Sequence, residues 1–354
     1  MGPHTNSSID LRSDVLCPPT DEMWEAMREA DFGWSLVGED RSVNHLEELG
    51  AEMLGKEAAI FVPTCSIANL LALMTMGERG TQVVLEAKSH IACLEHWNTA
   101  YICGLFTRLI DGSHGIMDPA TVNETITEAK YFGLPGTSVV CLENSHNNAG
   151  GIVVTPEQIN IMAEIAHKHG AAIHLDGARL FNAAAALGVP PKDLVEAVDT
   201  AAISLNKGLS APIGALLCGP REIIDKARIN CHRIGSASLH KDGILAAAGI
   251  VALTTMTSVL ADDNRRALHL AERLAQFPGL HVDLGRVHTN IILLETAPSG
   301  ISASEFVARL AEHNVLAKER VGDYQVRLVT HRLIGDGEVQ QVVEAFEAVL
   351  ESAQ

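Results

Sequence analysis

The stretch Ala171–Gly219, which reads AAIHLDGARLFNAAAALGVPPKDLVEAVDTAAISLNKGLSAPIGALLCG, constrains the fold more than any other part of the chain. Ala171–Leu175 is a short apolar run that breaks at Asp176-Gly177, the pattern of a buried strand delivering an acid at its end. A second apolar run, Thr200–Leu205, ends at Asn206-Lys207-Gly208. An acid and a lysine therefore each close a strand in an α/β pattern. Spacing alone fits two readings: a strand-end acid with a surface lysine, or a pair built to hold a ligand between them.

The ligand such a pair suits is pyridoxal 5'-phosphate, whose aldehyde forms a Schiff base with a lysine and whose pyridine nitrogen pairs with an acid. The wording of the two motifs, HLDGARLFNAA and SLNKGLSAPIG, resembles the low-specificity threonine aldolase family, also called the β-eliminating lyase family. The resemblance runs from Ile9 to about Phe346. It implies an aspartate-aminotransferase-like fold of type I. That is an α/β protein with a mostly parallel central sheet flanked by helices and a smaller α+β C-terminal domain. Residues 1–20 are then expected as an N-terminal arm, 21–243 as the large cofactor-binding domain and 244–354 as the small domain.

Composition narrows the partners. With 354 residues the chain can bury a large core, and its 47% hydrophobic and 20% charged residues describe an ordinary globular protein. A formal net charge of −18 argues against nucleic acid and anionic membranes as partners. No apolar run is expected to reach the ~20 residues of a membrane helix, and the start lacks the basic-then-apolar pattern of a secretory signal. The seven cysteines form no C-x-x-C pair, so they are expected reduced, in a cytoplasmic protein, with Cys65 the candidate for a reactive thiol. Neither G-x-G-x-x-G, G-x-x-x-x-G-K-[ST] nor H-E-x-x-H occurs, which removes the common nucleotide and zinc readings; no metal is expected.

In chain order, Cys17-Pro18-Pro19-Thr20 reads as an extended arm whose threonine caps a helix starting DEMWEAMREA. Ala58–Val62 reads as a strand. The turn after it, Pro63-Thr64-Cys65-Ser66, opens an apolar helix whose free amides make an anion site. Further strand-end polar groups follow at Ser89-His90 and at Glu143-Asn144-Ser145-His146-Asn147. Arg179, three residues after Asp176, and Arg327 in VRLVTH each have the planar, bidentate charge that suits a carboxylate, or a surface salt bridge.

The resemblance assigns roles to these residues. Lys207 carries the cofactor and Asp176 its ring nitrogen. His90 stacks on the ring, and the amides of Cys65 and Ser66 with the Ser66 hydroxyl hold the phosphate. Ser13, Arg179 and Arg327 bind the substrate carboxylate, Arg179 also meeting the cofactor; His90 or His146 takes the proton of the β-hydroxyl, and Glu95 assists. The chain departs from the family at Val37, where a tyrosine is usual, and at Cys65, where a glycine is usual. It departs again at His240-Lys241, where an arginine helps bind the phosphate. The implied reaction cleaves Cα–Cβ of a β-hydroxy-α-amino acid (threonine, allo-threonine or phenylserine) to glycine and an aldehyde, in a homodimer or homotetramer with the site at the subunit interface. The departures keep β-elimination or racemisation as a rival, and a non-catalytic scaffold is a third reading.

Overall fold

After a two-residue strand, β1 (Ile9–Asp10), the chain forms seven strands of one sheet: β2 (Ala58–Val62), β3 (Gln82–Glu86), β4 (Phe106–Ile110), β5 (Thr137–Glu143), β6 (Ala172–Gly177), β7 (Thr200–Ser204) and β8 (Ala215–Gly219). Their order in the sheet is β2-β8-β7-β6-β5-β3-β4. Neighbours from β7 through to β4 pair in parallel, and only β8 runs antiparallel to both of its partners. The inner strands read as continuous apolar runs because a parallel sheet is covered on both faces. Every residue of β2, β7 and β8 is buried, whereas the edge strand β4 is mostly exposed.

This computed structural model describes residues 8–237, 239–320 and 322–352. The chain divides into two units. The larger holds Pro18–Ala149 and Val153–Thr257. The smaller joins the stretch ending at Cys17 to Gly150–Ile152 and to the C-terminal part from Ser258. The expected boundaries at 20 and 244 thus fall elsewhere. Helix Gly243–Thr255, expected in the small domain, packs against helices Asp21–Glu29 and Arg41–Met53 of the larger unit. Its buried residues are mostly alanine and glycine, which lets helix axes approach closely.

The same helix corrects the membrane expectation. The chain carries no charge from Gly243 to Ala261, and the helical stretch Gly243–Leu274 is long and apolar enough, by length and composition, to cross a membrane. Two features account for it as an interior segment. A 3-10 turn at Met256–Val259 interrupts it, and Ala246, Ala248, Ala252 and Leu253 are buried within the chain.

Local starts follow the sequence. Thr20 Oγ1 accepts from the Met23 amide at 3.3 Å, and Thr155 forms a capping box with Gln158. In the smaller unit, β9 (His281–Val282), β10 (Ile291–Glu295), β12 (Lys318–Glu319) and β13 (Gln325–Val329) make an antiparallel sheet in the order β12-β13-β10-β9, and β1 pairs with β11 (Val315–Leu316). Helices Leu260–Leu274, Ala303–Glu312 and Asp336–Glu351 supply Leu270, Phe306 and Phe346 to its core.

Candidate active site

Parallel strands bring their carboxyl ends to one edge of the sheet, and the chain places its charged groups there. Glu86 ends β3 and Glu143 ends β5, and Asp176 stands opposite Glu143 in the β5–β6 register. Lys207 follows β7 on a tight turn closed by the Ser210 amide on the Lys207 carbonyl at 2.8 Å, with Ser210 itself at φ 62°. The Lys207 side chain is half-buried, and among the described residues it forms no ion pair.

Asp176 is nearly fully buried and held from three sides. The Ala178 amide donates to Oδ1 at 3.1 Å, Asn69 Nδ2 to Oδ2 at 2.9 Å, and the Cys65 thiol to Oδ1 at 3.7 Å. Burial, then the Asp176 charge, push the Cys65 thiol well above its ordinary pKa, and the Lys207 ammonium offsets this only in part. Cys65 is therefore a protonated, unreactive thiol, which corrects its reading as a reactive one. Its tolerance in the usual glycine place is also clear. It is the first residue of helix Cys65–Met76, not one of the left-handed positions.

Thr64 caps that helix, accepting from the Ile67 amide at 3.2 Å, and the Cys65 and Ser66 amides are first-turn donors that the helix itself leaves open. The Ser66 hydroxyl, expected on an anion, donates instead to Glu95 Oε1 at 3.0 Å. The same oxygen receives His90 Nδ1 at 2.6 Å. This hydrogen bond, against burial and with help from Asp176 and Glu143, raises the pKa of His90 above its ordinary value. With Nδ1 committed to Glu95, Nε2 is the nitrogen left for a ligand.

Glu143 links this group to Arg179. Its Oε2 accepts from the His90 amide at 2.6 Å and its Oε1 from the Asn147 amide at 2.8 Å. The side-chain oxygen of Asn147, Oδ1, in turn accepts from Arg179 Nη1 at 3.2 Å. Arg179 is 5% exposed, at the start of helix Leu180–Leu187.

His146 is placed differently from the expectation. Its Nε2 lies 2.8 Å from Glu86 Oε2, and its Nδ1 accepts from the Ala149 amide at 3.2 Å. The side chain is fully buried, and a Cβ on Gly115 would collide with the ring at 2.7 Å. With both nitrogens engaged by the protein, neither is open to a substrate proton. His240 and Lys241 lie on an exposed turn, Lys241 at φ 65°. Among the described residues neither bonds to the strand-end group. Ser13 and Arg327 belong to the smaller unit. Ser13 caps the 3-10 turn Asp14–Leu16 and Arg327, buried, lies on β13 opposite Leu293.

Sequence reasoning passed over Asn69, His174 and Glu86. His174 alternates with Asp176 along β6 and so shares its face. Asn69 is a lone amide in the apolar helix CSIANLLALMTM, and a buried amide is a signal because it must find partners.

The residues present suit pyridoxal phosphate by their chemistry: an unpaired half-buried amine, a buried acid already given a donor on each oxygen, an imidazole with one nitrogen committed, and open first-turn amides. Comparison with known proteins agrees. The family model for β-eliminating lyases matches residues 10–297. The low-specificity L-threonine aldolase 1 of Arabidopsis thaliana is 35% identical over 350 residues, covering 98% of each chain. The low specificity L-threonine aldolase of Escherichia coli K12 is 33% identical, covering 97% of this chain and 99% of its own. A solved threonine aldolase from Leishmania major shares the fold with a TM-score of 0.81 at 17% identity, over 97% of this chain and 99% of that one.

Proposed function

The chain belongs to the β-eliminating lyase family of pyridoxal-phosphate-dependent lyases, and we propose that it cleaves threonine-type β-hydroxy-α-amino acids to glycine and an aldehyde. The carrying observation is the placement of Asp176 in β6 and Lys207 just past the end of the adjacent strand β7, with His90 and Arg179 following their own strands at the same edge. Pyridoxal phosphate, when bound, supplies an electron sink for the pair released as Cα–Cβ breaks. The protein does the rest. Lys207 holds the cofactor, Asp176 keeps a proton on its ring nitrogen, and the Cys65 and Ser66 amides meet its phosphate.

Arg179, Arg327 and Ser13 grip the substrate carboxylate, which fixes the scissile bond relative to the ring; such alignment is worth up to ~7–11 kcal/mol in ideal cases. His90 Nε2 takes the β-hydroxyl proton, while Glu95 holds Nδ1 as the donor. This role goes to His90 and not to His146, whose nitrogens are occupied. His240 or Lys241 reaches the phosphate of a partner subunit in a homodimer or homotetramer. Exposed Trp24, Phe32, Trp34 and Val37 support such an assembly, and seven cysteines, none of them in a disulfide, support a cytoplasmic setting.

The test is product analysis. Threonine, allo-threonine and phenylserine should yield acetaldehyde or benzaldehyde with equimolar glycine, and the purified protein should show a visible absorption band lost on borohydride treatment and absent in Lys207→Ala. Ammonia and a keto acid, or loss of optical activity without cleavage, would replace the aldolase reading with elimination or racemisation. A protein that never takes up the cofactor would leave the scaffold.

A further inference from the structure

Asn69 is fully buried, and its amide stands between two acids. Nδ2 lies 2.9 Å from Asp176 Oδ2 and 3.3 and 3.4 Å from the two oxygens of Glu95. Ligand atoms of His90, Glu95 and Asp176 all fall within 4.8 Å of one another, so the two carboxylates are close neighbours. Acceptors in front turn the amide nitrogen forward and the amide oxygen back, 3.0 Å from His174 Nε2.

That oxygen can only accept, so the His174 proton sits on Nε2. Burial draws the His174 pKa down to about 4, so the ring is neutral and Nδ1 must accept. Its partner, 2.8 Å away, is Thr200 Oγ1, which donates its one proton here in preference to the weaker acceptor, the Met76 sulfur 3.7 Å away. Every proton in the series Thr200, His174, Asn69 then points one way, toward the acids.

We propose that Asn69, oriented by His174 and Thr200, is a positioning residue for the reaction: its two amide hydrogens go one to each acid, which leaves Asp176 to serve the ring nitrogen and Glu95 to hold His90. The roles of Asp176 and His90 rest on the function proposed above. Two buried carboxylates this close repel, and without a donor between them they satisfy each other by sharing a proton. Glu95 then loses part of its hold on His90. Other titratable groups facing the cluster are Lys207 after β7, Cys65 at the helix start, Cys141 and Glu143 on β5, His146 after it and His174 in β6. Among the described residues only Asn69 bonds to both acids.

Histidine C–H NMR titration of the full-length protein, with the cofactor bound and again after its removal, reads His90 directly once His90→Gln has assigned its signal. In Asn69→Leu the His90 midpoint should fall by roughly one pH unit, a tenfold change in proton affinity. Thr200→Val touches neither acid and should move the midpoint the same way by less, whereas Thr200→Ser, which keeps the donor, should leave it in place. A wild-type midpoint in Asn69→Leu or in Thr200→Val overturns the proposal, and if Asn69→Leu does not fold, the Thr200 pair decides. The readout needs no turnover. A shifted midpoint in a protein that does not cleave threonine would therefore reject the function and keep the proton arrangement.

Discussion

His90 Nδ1 lies 2.6 Å from Glu95 Oε1, and that contact is the largest of the influences that raise the imidazole above its ordinary pKa. A base works only in its neutral form, so a raised pKa moves the onset of activity to higher pH. We expect kcat/KM for threonine to fall as pH drops through a midpoint above 6.5, the ordinary histidine value. Glu95→Gln keeps the shape and removes the charge, and its acid limb should move down by about one unit. A limb that stays in place would exclude Glu95 as the partner of the working base.

His146 is expected to behave as a stability residue. Its removal leaves buried Glu86, among the described residues, with only the Lys88 and Gly112 amides as donors, at 2.7 and 3.2 Å. His146→Gln should cost about 1–3 kcal/mol of unfolding free energy in denaturant melts. Threonine KM should stay within a factor of about two, and the acid limb of the pH profile should not move. A thousandfold loss of kcat in a protein of wild-type stability would return the proton step to His146.

Arg327 carries the carboxylate assignment on the smaller unit. Arg327→Ala removes a charged clamp worth about 2–3 kcal/mol, which should raise threonine KM by ~10²-fold in initial-rate measurements with a smaller change in kcat. Arg327→Lys keeps the charge without the fork and should fall between. Because the residue is buried, a thermal melt accompanies each variant. An unchanged KM would take Arg327 out of the site.

The parts of this arrangement legible in the sequence are those that a strand end fixes. Asp176, Lys207 and His90 follow apolar runs directly, so their place at the sheet edge follows from topology. Arg179 is legible for the same reason. What escaped depends on side-chain direction over long sequence distances. Asn69 meets Asp176 across 107 positions and His146 meets Glu86 across 60, and neither spacing leaves a periodic trace. Helix Gly243–Thr255 offers the sequence no polar face to say which neighbour it covers, because its alanine and glycine are evenly distributed. The sequence places Ser66 at a helix start, and only its rotamer shows that Glu95 takes its hydroxyl.

Asp263, on helix Leu260–Leu274, tests the electrostatics of the smaller unit. Its carboxyl is fully buried, and among the described residues neither oxygen has a hydrogen-bond partner. Burial raises its pKa from 3.8 to about 7, Arg266 pulls it back in part, and Asp14 and Asp262 add to the rise. In the unfolded chain the group ionises near 3.8, while the folded protein keeps the proton until about 7. Between those values the unfolded state binds fewer protons, so stability is greatest at the acid end of the window and falls as pH rises toward neutrality. Asp263→Asn removes this titration while keeping the shape. The variant should match the parent near pH 4 and exceed it at pH 8, by a few kcal/mol at most, given 1.36 kcal/mol per pKa unit. Urea melts at the two pH values measure the difference directly. A gap of the same size at both would mean that Asp263 is ionised in the folded protein throughout, and that an unpaired buried charge is tolerated there.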